Sequence, residues 1–219
     1  MLTYEQLKSN ESIREYIRKA DEVLCARGYT EHSFAHVCKV AMTAEHILKT
    51  LGATEHDIEL AKIAAYLHDI GNIVNRDNHA HTGAVLAFKL LQDLGMEAHD
   101  IATVVAAIGN HDEKSGIAVD KVSAALILAD KSDVRRSRVR NTDVATFDIH
   151  DRVNYSVTES ELVINDEIDK ISLYLTIETV YCPIMDYFEI FLERMIMCRH
   201  AAEKLGMKFG LVINDHSLL

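Results

Sequence analysis

Apolar residues recur at intervals of three and four over the first three fifths of the chain, and this spacing constrains the fold more than any other feature. Ile13, Ile17, Ala20 and Leu24, for example, would form a single face of a helix. Proline occurs once among 219 residues and glycine nine times, which is too few for an all-β fold built on frequent turns. The sequence therefore predicts long helices, over residues 33–51, 54–67, 82–94, 99–109 and 119–133.

The pattern changes after about residue 146, where apolar residues alternate with polar ones as they do in β-strands. The predicted elements are strands over 153–157, 162–164, 171–177 and 209–213, and a helix from Pro183 to about residue 205. We therefore expect a mainly α fold. It would consist of a helical domain over residues 1–145 and a small α/β unit over residues 146–219, called the C-terminal appendage below.

Acidic residues outnumber basic ones, 34 Asp and Glu against 23 Lys and Arg, for a formal net charge of −11. Such a surface repels nucleic-acid backbone and anionic lipid, so partners of either kind are not expected. Apolar stretches are shorter than the roughly 20 residues that a membrane span needs. The sequence does not open on a basic segment followed by an apolar one, and its four cysteines form no CxxC pair. These features predict a cytoplasmic protein with reduced cysteines.

Twelve histidines are many for this length, and nine of them lie in the predicted helical domain. The adjacent pair His68 and Asp69 closes a predicted helix, where both side chains can approach one point from either side. His36 lies on a helix that would pack against this one, and Asp130 follows the apolar run of residues 124–129. Imidazole nitrogen and carboxylate oxygen suit Mn, Fe, Zn and related ions, and a carboxylate can bridge two of them. Spacing alone leaves a structural role open for each residue.

The sequence resembles the HD-domain superfamily of metal-dependent phosphohydrolases in the order of four residues: His36, His68, Asp69 and Asp130. The local sequence agrees, since residues 64–71 resemble the family's apolar helix leading into His-Asp and Ile-Gly, and residues 127–131 resemble its closing Ala-Asp. The resemblance covers about residues 15–140. It implies an HD-domain helical bundle in which these four residues form the primary metal site.

The resemblance also implies a second metal ion, which many members hold through extra histidines between the His-Asp pair and the last Asp. His79 matches this pattern because Gly83 follows it four residues on, as in the family. His111 stands where one branch often has two consecutive histidines, but Asn110 occupies the first of these positions. The second ligand set is therefore one residue short, a gap that water or His81 would fill.

Two positions depart from the family pattern. Asn72 stands where the family often has a lysine after Ile-Gly, so a common phosphate contact is missing or replaced. The Gly-Tyr-Pro signature of cyclic-di-nucleotide phosphodiesterases is absent after His111, so hydrolysis of cyclic-di-GMP is not expected. His32, four residues before His36, would either cap its helix or orient a ligand or phosphate.

The one dense basic segment begins directly after the last predicted ligand and includes Lys131, Arg135 and Arg138. Arginine binds phosphate in a bidentate manner, so this segment offers candidates for substrate binding. The alternative is a solvated face whose side chains pair with Asp133 or Asp143.

The resemblance implies hydrolysis of a phosphate ester by water that one or two divalent ions activate. Asp69 would hold the ions, and a free histidine or Asp112 would carry protons. Fe, Mn, Zn, Co, Ni and Mg are all compatible with such ligands. The expected substrate is a small phosphorylated molecule or a nucleotide. Two alternatives stay open: a di-iron oxygenase resembling inositol oxygenase, and a non-catalytic module that binds metal or nucleotide. The C-terminal appendage would cover the cleft or form a homodimer through a strand edge.

Overall fold

The computed structural model describes residues 2–219 and confirms a mainly α fold with a small sheet near the C-terminus. Within the described residues, the α-helices are α1 (Tyr4–Ser9), α2 (Glu11–Ala26), α3 (Phe34–Thr50), α4 (Glu55–Leu67), α5 (His79–Asp93), α6 (Ala98–Gly109), α7 (Lys121–Ser132), α8 (Ile149–Ser156) and α9 (Ile184–Lys204). The strands are β1 (Val157–Ile164), β2 (Lys170–Ile177), β3 (Lys208–Ile213) and β4 (His216–Ser217).

The ends of the helices follow local side-chain chemistry. Thr54 caps α4, because its hydroxyl accepts a hydrogen bond from the backbone N–H of Asp57 at 3.2 Å. Ser33 caps α3 in the same way through the N–H of Ala35. After α2 the chain reverses at Gly28, whose φ of +80° is a left-handed conformation that glycine adopts without strain.

Helix α7 lies at the centre of the helical core. Every side chain from Ala124 to Ala129 is buried, so the helix is apolar on all faces and must be surrounded by others. Helices α3, α4 and α6 pack around it. Since Asp130 directly follows this run, the packing of α7 places a carboxylate next to the interior faces of the surrounding helices.

The sheet follows the strand order β1-β2-β3-β4. Strands β1 and β2 form an antiparallel pair, β2 and β3 are parallel, and β4 is antiparallel to β3. Helix α9 provides the crossover that a parallel pair requires, and it packs against both β3 and α7. Through α9, the C-terminal appendage is joined to the helix that carries Asp130.

The predicted strand over residues 153–157 is wrong in its first part, because residues 149–156 form α8 and β1 begins only at Val157. Asp148 caps this helix, accepting a hydrogen bond from the N–H of Asp151 at 2.8 Å. Val153 and Val157 are four residues apart, so their spacing fits a helix face as well as an alternating strand. The capping aspartate decides between the two.

Among the helices of residues 2–219, none is both long enough and apolar enough to cross a membrane.

Candidate metal centre

The His68-Asp69 pair lies at the junction of two kinds of helix. Helix α4 ends at Leu67, and a short 3₁₀ segment (Ile70–Ile73) follows. His68 keeps α-helical backbone angles, whereas Asp69 (φ −94°, ψ 3°) leaves the helix. This change of direction lets two adjacent side chains face a common point, which they could not do inside a regular helix.

Two glycines bring α5 against this junction. A Cβ atom on Gly71 would lie 2.0 Å from the carbonyl oxygen of His79 and 2.5 Å from the backbone nitrogen of Gly83. A Cβ on Gly83 would in turn lie 3.2 Å from the carbonyl oxygen of His68. The close approach of these backbones requires glycine at Gly71, and it positions His79 beside Asp69.

Four buried histidines have their ring orientation fixed in the same way. In each, Nδ1 faces an oxygen that can only accept, so Nδ1 carries a proton and Nε2 is the nitrogen left to face the cluster. The partners are Asp133 Oδ2 for His36 (2.8 Å), the carbonyl oxygen of Ala65 for His68 (2.7 Å), that of Arg76 for His79 (3.0 Å) and that of Ile108 for His111 (2.6 Å).

The four Nε2 atoms meet in two pairs. Nε2 of His36 lies 3.3 Å from Nε2 of His68, and Nε2 of His79 lies 3.2 Å from Nε2 of His111. If both rings of a pair are neutral and carry their proton on Nδ1, these contacts bring lone pairs together. Such an arrangement is unfavourable unless a positive charge lies among the nitrogens, as it does in a metal site.

Two carboxylates complete the cluster. Asp130 Oδ1 lies 3.3 Å from Nε2 of His36, and Asp69 Oδ2 lies 3.2 Å from Nε2 of His68. The other oxygen of Asp69, Oδ1, lies 3.6 Å from Nε2 of His79. Asp69 thus presents one oxygen to each pair of histidines, the orientation expected of a carboxylate that bridges two ions.

Two groups of side chains could hold a metal ion. The first is His36, His68 and Asp130, and the second is His68, Asp69 and His111; all are buried, and in each group the ligand atoms lie within 4.8 Å of one another. Imidazole nitrogens and carboxylate oxygens are ligands for first-row divalent ions, so the donor set fits such a group. His68 belongs to both.

The pKa shifts within the cluster follow from burial and from the neighbouring charges. Burial disfavours the charged form of His68, but Asp69 and Asp130 outweigh burial and raise the pKa of His68 to about 10. Burial alone would raise the pKa of both carboxyl groups, whereas His68 near Asp69, and Lys131 near Asp130, hold these pKa values well below the usual range. Burial and the neighbouring His68 keep the pKa of His111 well below its ordinary value. The carboxylates are therefore ionised, as metal binding requires.

Asn72, which stands where the family often has lysine, holds the side chain of Asp69 in position. Its side-chain Nδ2 donates to Asp69 Oδ1 at 2.8 Å and to the Asp69 carbonyl at 2.9 Å. Arg76, one turn further on, approaches the same Asp69 oxygen at 3.6 Å. The residue in place of the lysine thus orients a carboxylate.

Asp133 is a functional candidate that sequence reasoning missed. Besides accepting from His36, its carboxylate lies 2.9 Å from Lys39 Nζ and 2.9 Å from Arg135 Nε. The sequence signal was its position three residues after Asp130, at the end of the same helix. Asp133 fixes the orientation of a histidine in the cluster, as outer carboxylates do around metal sites.

The three predicted substrate-binding residues lie in different surroundings. Lys131 is buried, with Nζ 2.8 Å from Asp130 and 2.7 Å from Glu113. Arg138 is buried and donates to the backbone carbonyls of Glu31 and Asp133. Arg135 pairs with Asp133 and does not line the pocket over the cluster. The sequence left open that this basic segment pairs with Asp133, and Arg135 does so.

The other predicted residues differ in whether they line the pocket. His32 lines the pocket over the cluster, and its Nδ1 donates to the carbonyl of Thr30 at 2.7 Å, which leaves Nε2 free. His81 is exposed. Asn110 donates from its side chain to the carbonyl of Ala106, one helical turn back. Asp112 is partly buried and is not among the residues that line the pocket.

A pocket of about 400 Å³ opens over the cluster and has walls from both parts of the chain. Asp69, His79, His111 and Asp130 lie on the helical side. The opposite wall comes from the C-terminal appendage: Asp148, His150, Asp151, Asn154, Ile190, Phe191 and Arg194. The appendage therefore covers the face of the cluster that a substrate would approach.

Comparison with known proteins agrees with this geometry. The HD-domain family matches residues 33–172, which include all six clustered histidines and aspartates. The chain belongs to the HD-domain family. The matched region also extends beyond α8 into β2, so it includes part of the C-terminal appendage.

This HD-domain protein is 28% identical over 190 residues to the uncharacterized protein MJ1020 of Methanocaldococcus jannaschii, covering 76% of this chain and 73% of that protein. It is also 32% identical over 100 residues to Ribonuclease Y of Treponema pallidum, covering 44% of this chain but only 18% of the relative. Among solved structures, a predicted HD superfamily hydrolase from an uncultured Thermotogales bacterium is 25% identical, with a TM-score of 0.44. That match covers 62% of this chain and 75% of the other.

Proposed function

We propose that this HD-domain protein is a metal-dependent phosphohydrolase that cleaves a phosphate ester of a small molecule or nucleotide. The observation that carries the proposal is the meeting of four Nε2 atoms in two pairs, 3.3 Å apart in His36–His68 and 3.2 Å apart in His79–His111, beside two ionised carboxylates. A buried set of this composition is suited to divalent cations and to little else.

The residues that would hold one or two ions are His36, His68, Asp69, His79, His111 and Asp130. Divalent ions bound there would supply Lewis-acid stabilisation of phosphate oxygens and a lowered pKa for a water molecule. Asp69 has the central catalytic role, because its two oxygens face different histidine pairs. Asn72 keeps that carboxylate in place through its hydrogen bond to Oδ1.

His32 is the proposed proton carrier. It lines the pocket, lies outside the six proposed ligands and has a free Nε2 because Nδ1 donates to Thr30. Its ring stands edge-on to that of His36, with centroids 5.4 Å apart. A base next to the cluster can accept a proton from the attacking water.

A small phosphorylated substrate fits the pocket better than a nucleic acid. The pocket volume of about 400 Å³ is that of a small-ligand site, and the chain has a net charge of −11, which disfavours a long polyanion. A compact phosphate ester meets only the local field, where bound cations outweigh the acidic surface. The relative named Ribonuclease Y matches less than half of this chain, so its name does not decide the substrate.

The test is release of phosphate or of a phosphorylated product from a panel of nucleotides, sugar phosphates and p-nitrophenyl phosphate. Each metal of the series Mn, Fe, Co, Ni, Zn and Mg is added after treatment with a chelator. We expect release from at least one substrate, lost in His68→Ala and kept in His200→Ala, which alters an exposed histidine of α9. No release with any metal would contradict the proposal. Oxygen uptake by the iron-loaded protein would then favour an oxygenase, and binding alone would favour a regulatory module.

We also propose a domain boundary near residue 145 and, independently, a homodimer. Strand β1 lies at one edge of the sheet and pairs on one side only, with β2. A second copy could add to that edge. Light scattering of the full chain would show a dimeric mass if the edge is used, and a monomeric mass would remove this proposal.

A further inference from the structure

The guanidinium of Arg194 differs from the other arginines that line the pocket over the metal cluster. Those of Arg27, Arg76 and Arg138 donate hydrogen bonds to Asn75, Asn72 and backbone carbonyls, respectively. Within residues 2–219, Arg194 donates no hydrogen bond that meets normal geometry, and its Nε is buried without a partner. An arginine in this position has donors to offer and no internal acceptor that takes them.

The surroundings of Arg194 hold it in place without satisfying it. Its guanidinium lies over the ring of Phe191, 4.2 Å from the centroid, so one flat face is covered. The nearest carboxylate oxygen is Oε1 of Glu113, at 3.7 Å, which is an ion-pair contact and not a hydrogen bond. The stacking on Phe191 restricts the side chain, and Arg194 lines the pocket over the cluster.

A short chain of charges links Arg194 to the proposed metal ligands. Glu113 Oε2 lies 2.7 Å from Lys131 Nζ, and the same nitrogen lies 2.8 Å from Oδ2 of Asp130. Glu113 therefore holds Lys131 closely and Arg194 only loosely. A second anion entering the pocket could take the free donors of Arg194 without breaking the Glu113–Lys131 pair.

We propose that Arg194 binds the phosphoryl group of the substrate, so that the C-terminal appendage supplies a substrate-binding residue to a metal cluster built by the helical part. This inference rests on the proposed phosphohydrolase function and assigns its phosphate contact to a residue outside the basic segment that follows Asp130. The ligand is a phosphate ester with a free phosphoryl edge, because the fork of an arginine matches two phosphate oxygens at once.

The experiment measures binding of inorganic phosphate to the metal-loaded full-length protein by calorimetry, for the native chain, Arg194→Gln, Arg194→Lys and Arg199→Gln. Arg199 is exposed on the same helix and serves as the matched control. We expect the dissociation constant to rise about tenfold to a hundredfold in Arg194→Gln, as for loss of a charged hydrogen-bond pair, and to stay within twofold in Arg199→Gln. Arg194→Lys keeps the charge but loses the two-pronged guanidinium, so its dissociation constant for phosphate should lie between those of the native chain and Arg194→Gln.

Metal content and the far-ultraviolet circular dichroism spectrum of each variant should match those of the native chain, which separates a lost contact from a damaged fold. If Arg194→Gln is unfolded, the comparison of Arg194→Lys with native decides, and a native-like phosphate affinity there overturns the proposal. An unchanged affinity in folded Arg194→Gln, with native protein still releasing phosphate from esters, overturns the role of Arg194 and leaves the proposed function standing. A native chain that neither binds nor releases phosphate overturns both.

Discussion

Asp133 Oδ2 accepts a hydrogen bond from Nδ1 of His36 at 2.8 Å, across 97 positions of sequence. The contact leaves Nε2 of His36 as the free nitrogen, and that atom lies 3.3 Å from Nε2 of His68. Asp133 is almost fully buried, and its carboxylate is also surrounded by Lys39, Arg135 and Arg138. The candidate metal centre therefore has an outer layer, in which one carboxylate sets the orientation of a proposed ligand.

Replacing this carboxylate should weaken metal binding. In Asp133→Asn the acceptor loses its charge, so His36 is held less firmly and its Nε2 is less basic. We expect metal affinity to fall about tenfold to a hundredfold, measured by titration calorimetry on folded protein. Asp166→Asn, in an exposed turn, is the control and should bind as the native chain does. Equal affinity in both variants would show that Asp133 only neutralises its basic neighbours.

The close approach at Gly71 should make this position intolerant of any side chain. In Gly71→Ala, the new Cβ would collide with the backbone of His79 at 2.0 Å, so α5 has to move. We expect the free energy of unfolding to fall by about 3 kcal/mol or more, measured by urea denaturation. Gly28→Ala is the comparison, because the open space around Gly28 leaves only the strain of a positive φ, about 1 kcal/mol. A smaller loss at Gly71 than at Gly28 would contradict this view of the packing.

The hydroxyl of Tyr66 has no hydrogen-bond partner among the described residues, although the side chain is fully buried. Its ring packs edge-on against Tyr4, with centroids 5.5 Å apart. Tyr66→Phe keeps the ring and removes an unsatisfied polar atom, so it should raise the free energy of unfolding by about 1 kcal/mol. Tyr174→Phe, at an exposed position of β2, should leave it unchanged. A clear loss of stability in Tyr66→Phe would mean that the hydroxyl is satisfied in solution.

The thiols of Cys25 and Cys198 should react with an alkylating reagent at very different rates. Burial raises the pKa of Cys198 to about 12, whereas Cys25 is exposed. Only the thiolate reacts, so a raised pKa lowers reactivity at every pH below it. Iodoacetamide at about pH 8 should modify Cys25 and spare Cys198, and raising the pH to about 10 should not change that order. Peptide mass spectrometry would measure both sites, and equal labelling would contradict the buried position of Cys198.

The helical core could be predicted because each helix needs a continuous apolar face, and such a face is visible in the sequence as apolar residues three and four positions apart. Ser33, Thr54 and Pro183 mark helix starts in the sequence and stand directly before α3, α4 and α9 in the structure. Helix α8 escaped prediction because the spacing of Val153, which lies in it, and Val157, the first residue of β1, fits both a helix and a strand. The cap at Asp148 marks the start of this helix, and apolar spacing alone does not reveal it.

The six proposed ligands stand out in the sequence by type and order, and the structure brings them together. The residues around them do not stand out in the same way. Asp133, directly after α7, reaches His36 because α7 packs against α3, and Glu113 meets Arg194 only because α9 packs against α7. These contacts depend on how distant elements are placed. Their residue types, an aspartate, a glutamate and an arginine, are common on any surface.

The metal content of the purified chain tests the central claim most directly. His68 belongs to both groups of candidate ligands, whereas His79 faces only one oxygen of Asp69. Elemental analysis after metal loading should give roughly two ions per native chain, about one in His79→Ala and almost none in His68→Ala. The same metal content in native protein and His68→Ala, whether high or negligible, would contradict the proposal that these histidines and aspartates form a metal centre.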